Sequence, residues 1–141
     1  MNLVLDASVA AKWLLAEADS DKAAALFQAW TAKRVGLLAP ELLPAQVTSA
    51  LWKRVMRGFL PVAEAIRLQN EFTDLGIPLH PIGELVGVAF DLALRYRHSV
   101  YDGLYLALAH KTGAEFVTAD EKLFKLASPG NIRLLRNWEQ V

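Results

Sequence analysis

The sequence predicts an α/β fold with a short, mainly parallel sheet of four to five strands flanked by helices. Two observations and one general rule predict this fold. Apolar runs typical of short buried strands recur at 3–5, 37–39, 115–118 and 132–135. Between them lie longer stretches whose apolar residues recur every three or four positions, as in amphipathic helices. Strands that alternate with helices form parallel sheets through right-handed crossovers, which brings all the strand ends to one edge.

Turn and capping signals set the approximate limits of the elements. Gly36, Gly58 and Gly113 follow helical stretches, as glycines that end helices do. Prolines restrict 77–81 to a short edge strand, and Ser99 starts an S/T-x-x-D capping pattern. The helices are expected at about 10–15, 19–33, 42–57, 61–74, 85–96, 104–109 and from 120 onward.

The composition narrows the possible classes of protein. The chain has 141 residues and is 54% hydrophobic, which suits one compact domain spanning residues 1–141. Fifteen basic and fifteen acidic residues cancel, so any nucleic-acid site must be a local patch rather than an effect of net charge. The absence of cysteine excludes disulfides, thiolate zinc sites and cysteine nucleophiles.

The apolar start of the chain needs to be distinguished from a targeting segment. Residues 3–16 resemble a signal peptide in hydropathy, but Asp6 and Lys12 interrupt them and no basic segment precedes them. No other stretch approaches the ~20 apolar residues that span a bilayer. We therefore expect a soluble, cytoplasmic protein without membrane contact.

Three aspartates are expected at the same edge of the sheet. Asp6 comes directly after the first strand, Asp120 follows strand 115–118, and Asp102 opens the helix that leads into that strand. Open α/β folds bind their ligands at the carboxyl ends of the strands. Each aspartate also has an alternative explanation as a helix cap, and this alternative is strongest for Asp102 because of Ser99.

Three carboxylates placed close together are typical of a site that binds a divalent cation. They repel one another, which raises their pKa values and costs stability unless a cation lies between them. Mg²⁺, or alternatively Mn²⁺, prefers such oxygen ligands, keeps several waters and contacts phosphate oxygens. With such an ion, Asp6, Asp102 and Asp120 could activate a water and stabilise an in-line phosphodiester displacement.

Three segments carry a family resemblance: Val4–Val9, Ser99–Ala109 and Phe116–Asp120. Together and in this order they resemble the PIN domain, and more closely the VapC toxins of type II toxin–antitoxin pairs. The resemblance implies a PIN-like three-layer sandwich and a Mg²⁺-dependent endoribonuclease. It also implies a homodimer or a toxin–antitoxin hetero-oligomer, in which a cognate antitoxin blocks the active-site groove.

The resemblance also assigns roles to individual residues. Asp6 and Asp102 would be the principal metal ligands, and Asp120 would complete the acidic set. Ser8 and Thr118 would hold the carboxylates or a bound water beside the substrate.

Gln46 departs from the family pattern, which has glutamate at this position of the helix. Glutamine keeps one neutral oxygen but attracts Mg²⁺ less and cannot act as a base. Gln46 therefore leaves two readings open: an active metal-dependent endoribonuclease with Gln46 in its catalytic set, or a silent scaffold that binds antitoxin or RNA. A haloacid-dehalogenase-like phosphatase is a third reading, disfavoured because Ser8 stands where such enzymes usually carry a second aspartate.

Basic and aromatic residues suggest contact surfaces. Arg54 and Arg97 are candidates for binding RNA phosphates, since a guanidinium group can donate two parallel hydrogen bonds. The alternative explanation of such residues is an exposed helix face, or a charge that is favourable in the last turn of a helix. Trp13 and Leu14 are the candidates for a partner surface, because interface anchors are often aromatic.

Overall fold

The computed structural model describes residues 1–127 and 131–139. The strands are β1 Asn2–Leu5, β2 Gly36–Pro40, β3 Leu79–His80, β4 Glu115–Thr118 and β5 Ile132–Leu134. The helices are α1 Ala7–Leu14, α2 Ser20–Thr31, α3 Leu42–Met56, α4 Val62–Asp74, α5 Val86–Tyr96, α6 Val100–Thr112 and α7 Glu121–Ala127. Short 3₁₀ turns cover Gly83–Leu85 and Leu135–Asn137. In these ranges, no helix has both the length and the apolar character to cross a membrane.

The five strands form one sheet in the order β3-β2-β1-β4-β5, and every pair is parallel. This confirms the predicted class and strand number. β3 is the edge strand expected from its flanking prolines, which cannot donate to a ladder. β1 lies in the centre, so the residue that follows it emerges in the middle of the carboxyl edge.

Helices cover both faces of the sheet. Leu3 and Leu5 of β1 belong to a core that also contains residues of α1 and α2, whereas Val4 belongs to a second core with α5 and α6. Alternate residues of a strand point to opposite faces, so these two cores make three layers. Leu3, Val4 and Leu5 of the central strand are completely buried because both faces of the sheet are covered there.

Several element boundaries differ from the sequence expectation, and the largest difference is that α6 spans Val100–Thr112 rather than 104–109. α1 begins at Ala7, directly after the strand, because the Asp6 carbonyl already accepts hydrogen bonds from the amides of Val9 and Ala10 at 3.0 and 3.1 Å. The junction between β1 and α1 is therefore as short as a single residue. The last strand ends at Leu134, and Leu135 starts a 3₁₀ turn.

α5 and α6 approach each other closely at one glycine. A Cβ atom on Gly103 would lie 2.5 Å from the carbonyl oxygen of Ala89, which is well inside van der Waals contact. The side-chain-free position lets the two backbones touch. This contact fixes the first turn of α6, which carries the neighbouring Asp102.

Trp13 and Leu14, the candidates for a partner surface, are only partly buried, and their place in an interface stays a prediction. Trp13 is partly buried between α1 and α2, and its indole N–H donates to the carbonyl oxygen of Ala23 at 2.9 Å. Its ring stacks on Trp30 at 6.2 Å and meets the edge of Phe27 at 5.2 Å. The exposed aromatics lie elsewhere, for example Trp52 on α3.

Candidate active site

A cavity of about 310 Å³ opens at the carboxyl edge of the sheet. Its lining residues are Asp6, Ala7, Ser8, Gln46, Ser49, Lys53, Asp102 and Asp120. The structure thus brings together all four side chains that the sequence analysis assigned to catalysis. They arrive from β1, α3, α6 and the end of β4, as the parallel topology requires.

Asp6 is held by two hydroxyl groups. The register pairs Leu5 with Val117, so the next position on each strand sets Asp6 opposite Thr118. The Thr118 hydroxyl donates to Asp6 Oδ2 at 2.6 Å, and the Ser8 hydroxyl donates to the same oxygen at 2.7 Å. No side-chain cap links Asp6 to α1, so the capping alternative does not account for this residue. Among the described residues, Oδ1 has no hydrogen-bond donor from another side chain.

The buried environment of Asp6 disfavours the ionised form of its carboxyl group. Asp6 is only 6% exposed, and burial raises its pKa from 3.8 to about 6. The bonds from Thr118 and Ser8 lower the pKa, whereas the charge of Asp102 raises it further. Desolvation wins over two hydrogen bonds, as expected for a carboxylate without a neighbouring cation.

Asp102 and Asp120 complete the acidic set. The Asp102 amide donates to the Ser99 hydroxyl at 3.0 Å, which confirms the predicted cap of α6. Burial raises the pKa of Asp102, and the charge of Asp120 adds to this effect. Asp120 Oδ1 accepts the Leu123 amide at 3.0 Å, so Asp120 caps α7 and lines the cavity at once.

Gln46 reaches the cavity from α3 and is held from behind by a tyrosine. The Tyr105 hydroxyl donates to Gln46 Oε1 at 2.6 Å. Tyr105 is fully buried, and its ring stacks on Phe116 at 5.4 Å. Tyr105 is not among the site residues predicted from the sequence. Its spacing was the available signal, since a residue three positions after Asp102 lies on the same face of a helix.

The basic residues are placed unevenly around the site. Lys53 lines the cavity, whereas its neighbour Arg54 bonds to Glu17 at 3.2 Å and does not line it. Arg97 is exposed at the end of α5 in a left-handed conformation, with φ of 64°, and also lies outside the lining. Of these three basic residues, Lys53 is therefore the one that lines the cavity.

The donor set fits a hydrated Mg²⁺ ion. In residues 1–127 and 131–139, no group of three or more His, Cys, Asp or Glu side chains is arranged to enclose a metal ion by itself. Mg²⁺ does not need such a cage, because it commonly binds through one or two carboxylates and keeps several waters. Asp6, with one oxygen not used by the hydroxyls, and Asp102, which faces the same cavity, meet that requirement.

Comparison with known proteins identifies the fold and the family. Residues 3–129 match the PIN domain family. The ribonuclease VapC3 of Pyrobaculum aerophilum is 36% identical over 126 residues, covering 87% of this chain and 92% of that protein. The crystal structure of PAE2754 from the same organism has a TM-score of 0.65 at 25% identity, over 94% of this chain and 83% of that one.

A more distant structure shares the fold alone. The VapBC2 complex from Rickettsia felis, solved with a DNA fragment from its promoter, contains a chain with a TM-score of 0.70 at 14% identity. The match covers 99% of this chain and all of that one. The chain therefore belongs to the PIN domain family and, within it, to the VapC-type toxins of type II toxin–antitoxin pairs.

Proposed function

We propose that the protein is a divalent-metal-dependent endoribonuclease, the toxin of a VapBC-type pair, which hydrolyses RNA phosphodiester bonds in the acidic cavity. The observation that carries this proposal is the crowding of Asp6, Asp102 and Asp120 around one cavity, with the pKa of Asp6 raised to about 6. A protein keeps such repulsion where the charges serve a ligand. The similarity to the ribonuclease VapC3 supports RNA as the substrate.

Asp6 and Asp102 would hold Mg²⁺ or Mn²⁺, with Asp120 contributing directly or through a water. When bound, the ion would lower the pKa of a coordinated water and offset the charge that develops on the phosphate. Ser8 and Thr118 keep Asp6 Oδ2 occupied, so the other oxygen, which no hydroxyl of the described residues contacts, would be the one that binds the ion. The Leu123 amide holds Asp120 in the same way.

Lys53 would contact the RNA backbone at the cavity, and we extend the track of phosphate contacts to Arg54 and Arg97 on the surrounding surface. Lys53 and Arg54 share the last turns of α3, so one backbone segment can reach both. Arg54 would exchange its Glu17 partner for a phosphate, a small cost for a partly exposed ion pair.

We propose further that a cognate antitoxin covers the cavity and that the protein forms a homodimer or a toxin–antitoxin hetero-oligomer. The relatives crystallised as the VapBC2 and FitAB complexes support an antitoxin partner. Residues 1–141 would act as a single PIN unit in the cytoplasm, where its RNA substrate would be met.

The test is cleavage of a structured RNA such as tRNA by the purified, chelator-treated chain, with and without Mn²⁺ or Mg²⁺. We expect cleavage only with the ion, and a loss of at least about a hundredfold in Asp6→Asn or Asp102→Asn. Asp74→Asn, an exposed acid at the end of α4, is the matched control and should cleave normally. Equal cleavage by all four proteins would overturn the proposal.

A second candidate function is favoured by Gln46, which supplies an amide where the family pattern has a carboxylate. In this reading the protein binds antitoxin or RNA without cutting. Gln46→Glu separates the two readings: a silent scaffold gains cleavage with Mn²⁺, whereas an active enzyme already cleaves before the substitution.

A further inference from the structure

The contact between Tyr105 and Gln46 constrains what Gln46 can offer the cavity. A glutamine amide has one oxygen and one N–H₂ group on opposite sides of its terminal carbon. The oxygen is engaged by the Tyr105 hydroxyl at 2.6 Å, a short hydrogen bond. Gln46 lines the cavity with Asp6 and Asp102, so the N–H₂ group is what remains for the cavity side.

Several features hold this orientation. Tyr105 is completely buried and its ring stacks on Phe116, so the hydroxyl has no water to bond and little freedom to move. Burial raises the pKa of Tyr105 well above its usual range, and the charge of Asp6 raises it further, so the hydroxyl remains a donor. A donor needs an acceptor, and Oε1 of Gln46 is the acceptor present.

The opposite amide orientation is unfavourable on electrostatic grounds. With the amide reversed, Oε1 would face Asp6 and Asp102, adding a third acceptor to a site already crowded with negative charge. An N–H₂ group on the cavity side carries donors and adds no further acceptor. Replacing the family's glutamate by glutamine thus converts this corner of the cavity from acceptor to donor.

We propose that Gln46 serves as a fixed hydrogen-bond donor to anionic oxygens in the cavity rather than as a metal ligand, with Tyr105 as the residue that positions its amide. The inference deepens the proposed function and rests on it for the identity of the site. It predicts that metal affinity depends on the two aspartates and that Tyr105 controls whether the Gln46 oxygen can reach an ion.

The first test needs no metal. In the intact chain with glutamine labelled by ¹³C and ¹⁵N, the Gln46 side-chain carbonyl carbon is compared between the wild type and Tyr105→Phe, which removes only the hydroxyl. Loss of an O–H···O=C bond should move the carbonyl resonance upfield. If only the side-chain nitrogen and its protons change, the amide is reversed and the proposal is overturned.

The second test measures Mn²⁺ affinity by titration calorimetry in a double-mutant cycle of Tyr105→Phe and Gln46→Met. Gln46→Met should change the affinity of the wild type less than about threefold, since a non-ligand is removed. Tyr105→Phe should raise the affinity by about three- to tenfold, because the released oxygen can turn to the ion. This gain should vanish in the double variant.

The outcomes separate the inference from the proposed function. A tenfold weakening by Gln46→Met alone makes Gln46 a ligand and overturns the inference while leaving a metal site in place. The inference is also overturned if Tyr105→Phe changes the Mn²⁺ affinity equally in the wild type and in Gln46→Met. A wild type that binds no Mn²⁺ refutes the proposed function, and the carbonyl resonance then decides the orientation by itself.

Discussion

Neutralising Asp6 should stabilise the metal-free protein while destroying its site. The pKa of Asp6 is raised from 3.8 to about 6, mainly by burial, so the folded state binds the proton more tightly than the unfolded state. The contribution of Asp6 to the free energy of unfolding is therefore fully present below about pH 3.8. It is lost as the pH rises through about 6. A difference of about two pKa units corresponds to about 3 kcal/mol at neutral pH.

Asp6→Asn removes the free-energy cost of ionising a buried carboxyl group. The asparagine keeps an oxygen that can accept from the hydroxyls of Ser8 and Thr118. In urea unfolding with a chelator at pH 7.5, the variant should be about 3 kcal/mol more stable, a midpoint shift of roughly 1.5 M at an m-value of about 2 kcal/mol/M. At pH 4 the difference should fall below about 1 kcal/mol, since the wild-type carboxyl is then protonated in the folded state. Asp74→Asn, on the surface, should change little at either pH.

Adding Mn²⁺ should reverse the advantage of the variant. A ligand at one thousand times its dissociation constant stabilises the folded state by about 4.1 kcal/mol, more than the variant's advantage of about 3 kcal/mol, and only the wild type has the complete site. A variant that is less stable than the wild type at pH 7.5 without metal would refute the reasoning. A stability difference that does not change with pH would refute it equally, because the effect would then not come from ionisation.

Three further outcomes are expected. At sub-saturating Mn²⁺, cleavage should rise with pH through about 6 as Asp6 ionises, and the midpoint should fall as the metal concentration is raised. Lys53→Gln should weaken RNA binding and reduce the salt dependence by about one phosphate contact, measured by fluorescence anisotropy across a salt series. Gly103→Ala should destabilise the fold by about 1–3 kcal/mol in urea unfolding, because the added methyl collides with the Ala89 carbonyl.

The sequence was sufficient for the parts of the fold that depend on periodicity and topology. Apolar runs and helical spacing predict parallel strands, and parallel strands end at one edge, which is why Asp6 and Asp120 meet although they lie far apart in the chain. The cap formed by Ser99 was also predictable, because it is a local pattern with a known geometry.

Contacts that depend on side-chain direction were not predictable in the same way. Trp13 has the helical spacing of either a core or a surface residue, and the packing of α2 against α1 leaves it partly buried. Lys53 and Arg54 are adjacent on α3 and so point in different directions, one to the cavity and one to Glu17. The Tyr105 contact joins residues 59 positions apart and depends on how α6 approaches α3.

The most direct test of the metal-site account is anomalous diffraction from a crystal of the intact chain soaked in Mn²⁺. The account predicts a peak between Asp6 and Asp102, within about 2.2 Å of a carboxylate oxygen of each or joined to one through a water. Nuclease activity in Mn²⁺, together with no anomalous peak in the cavity and the two carboxylates turned apart, would contradict it.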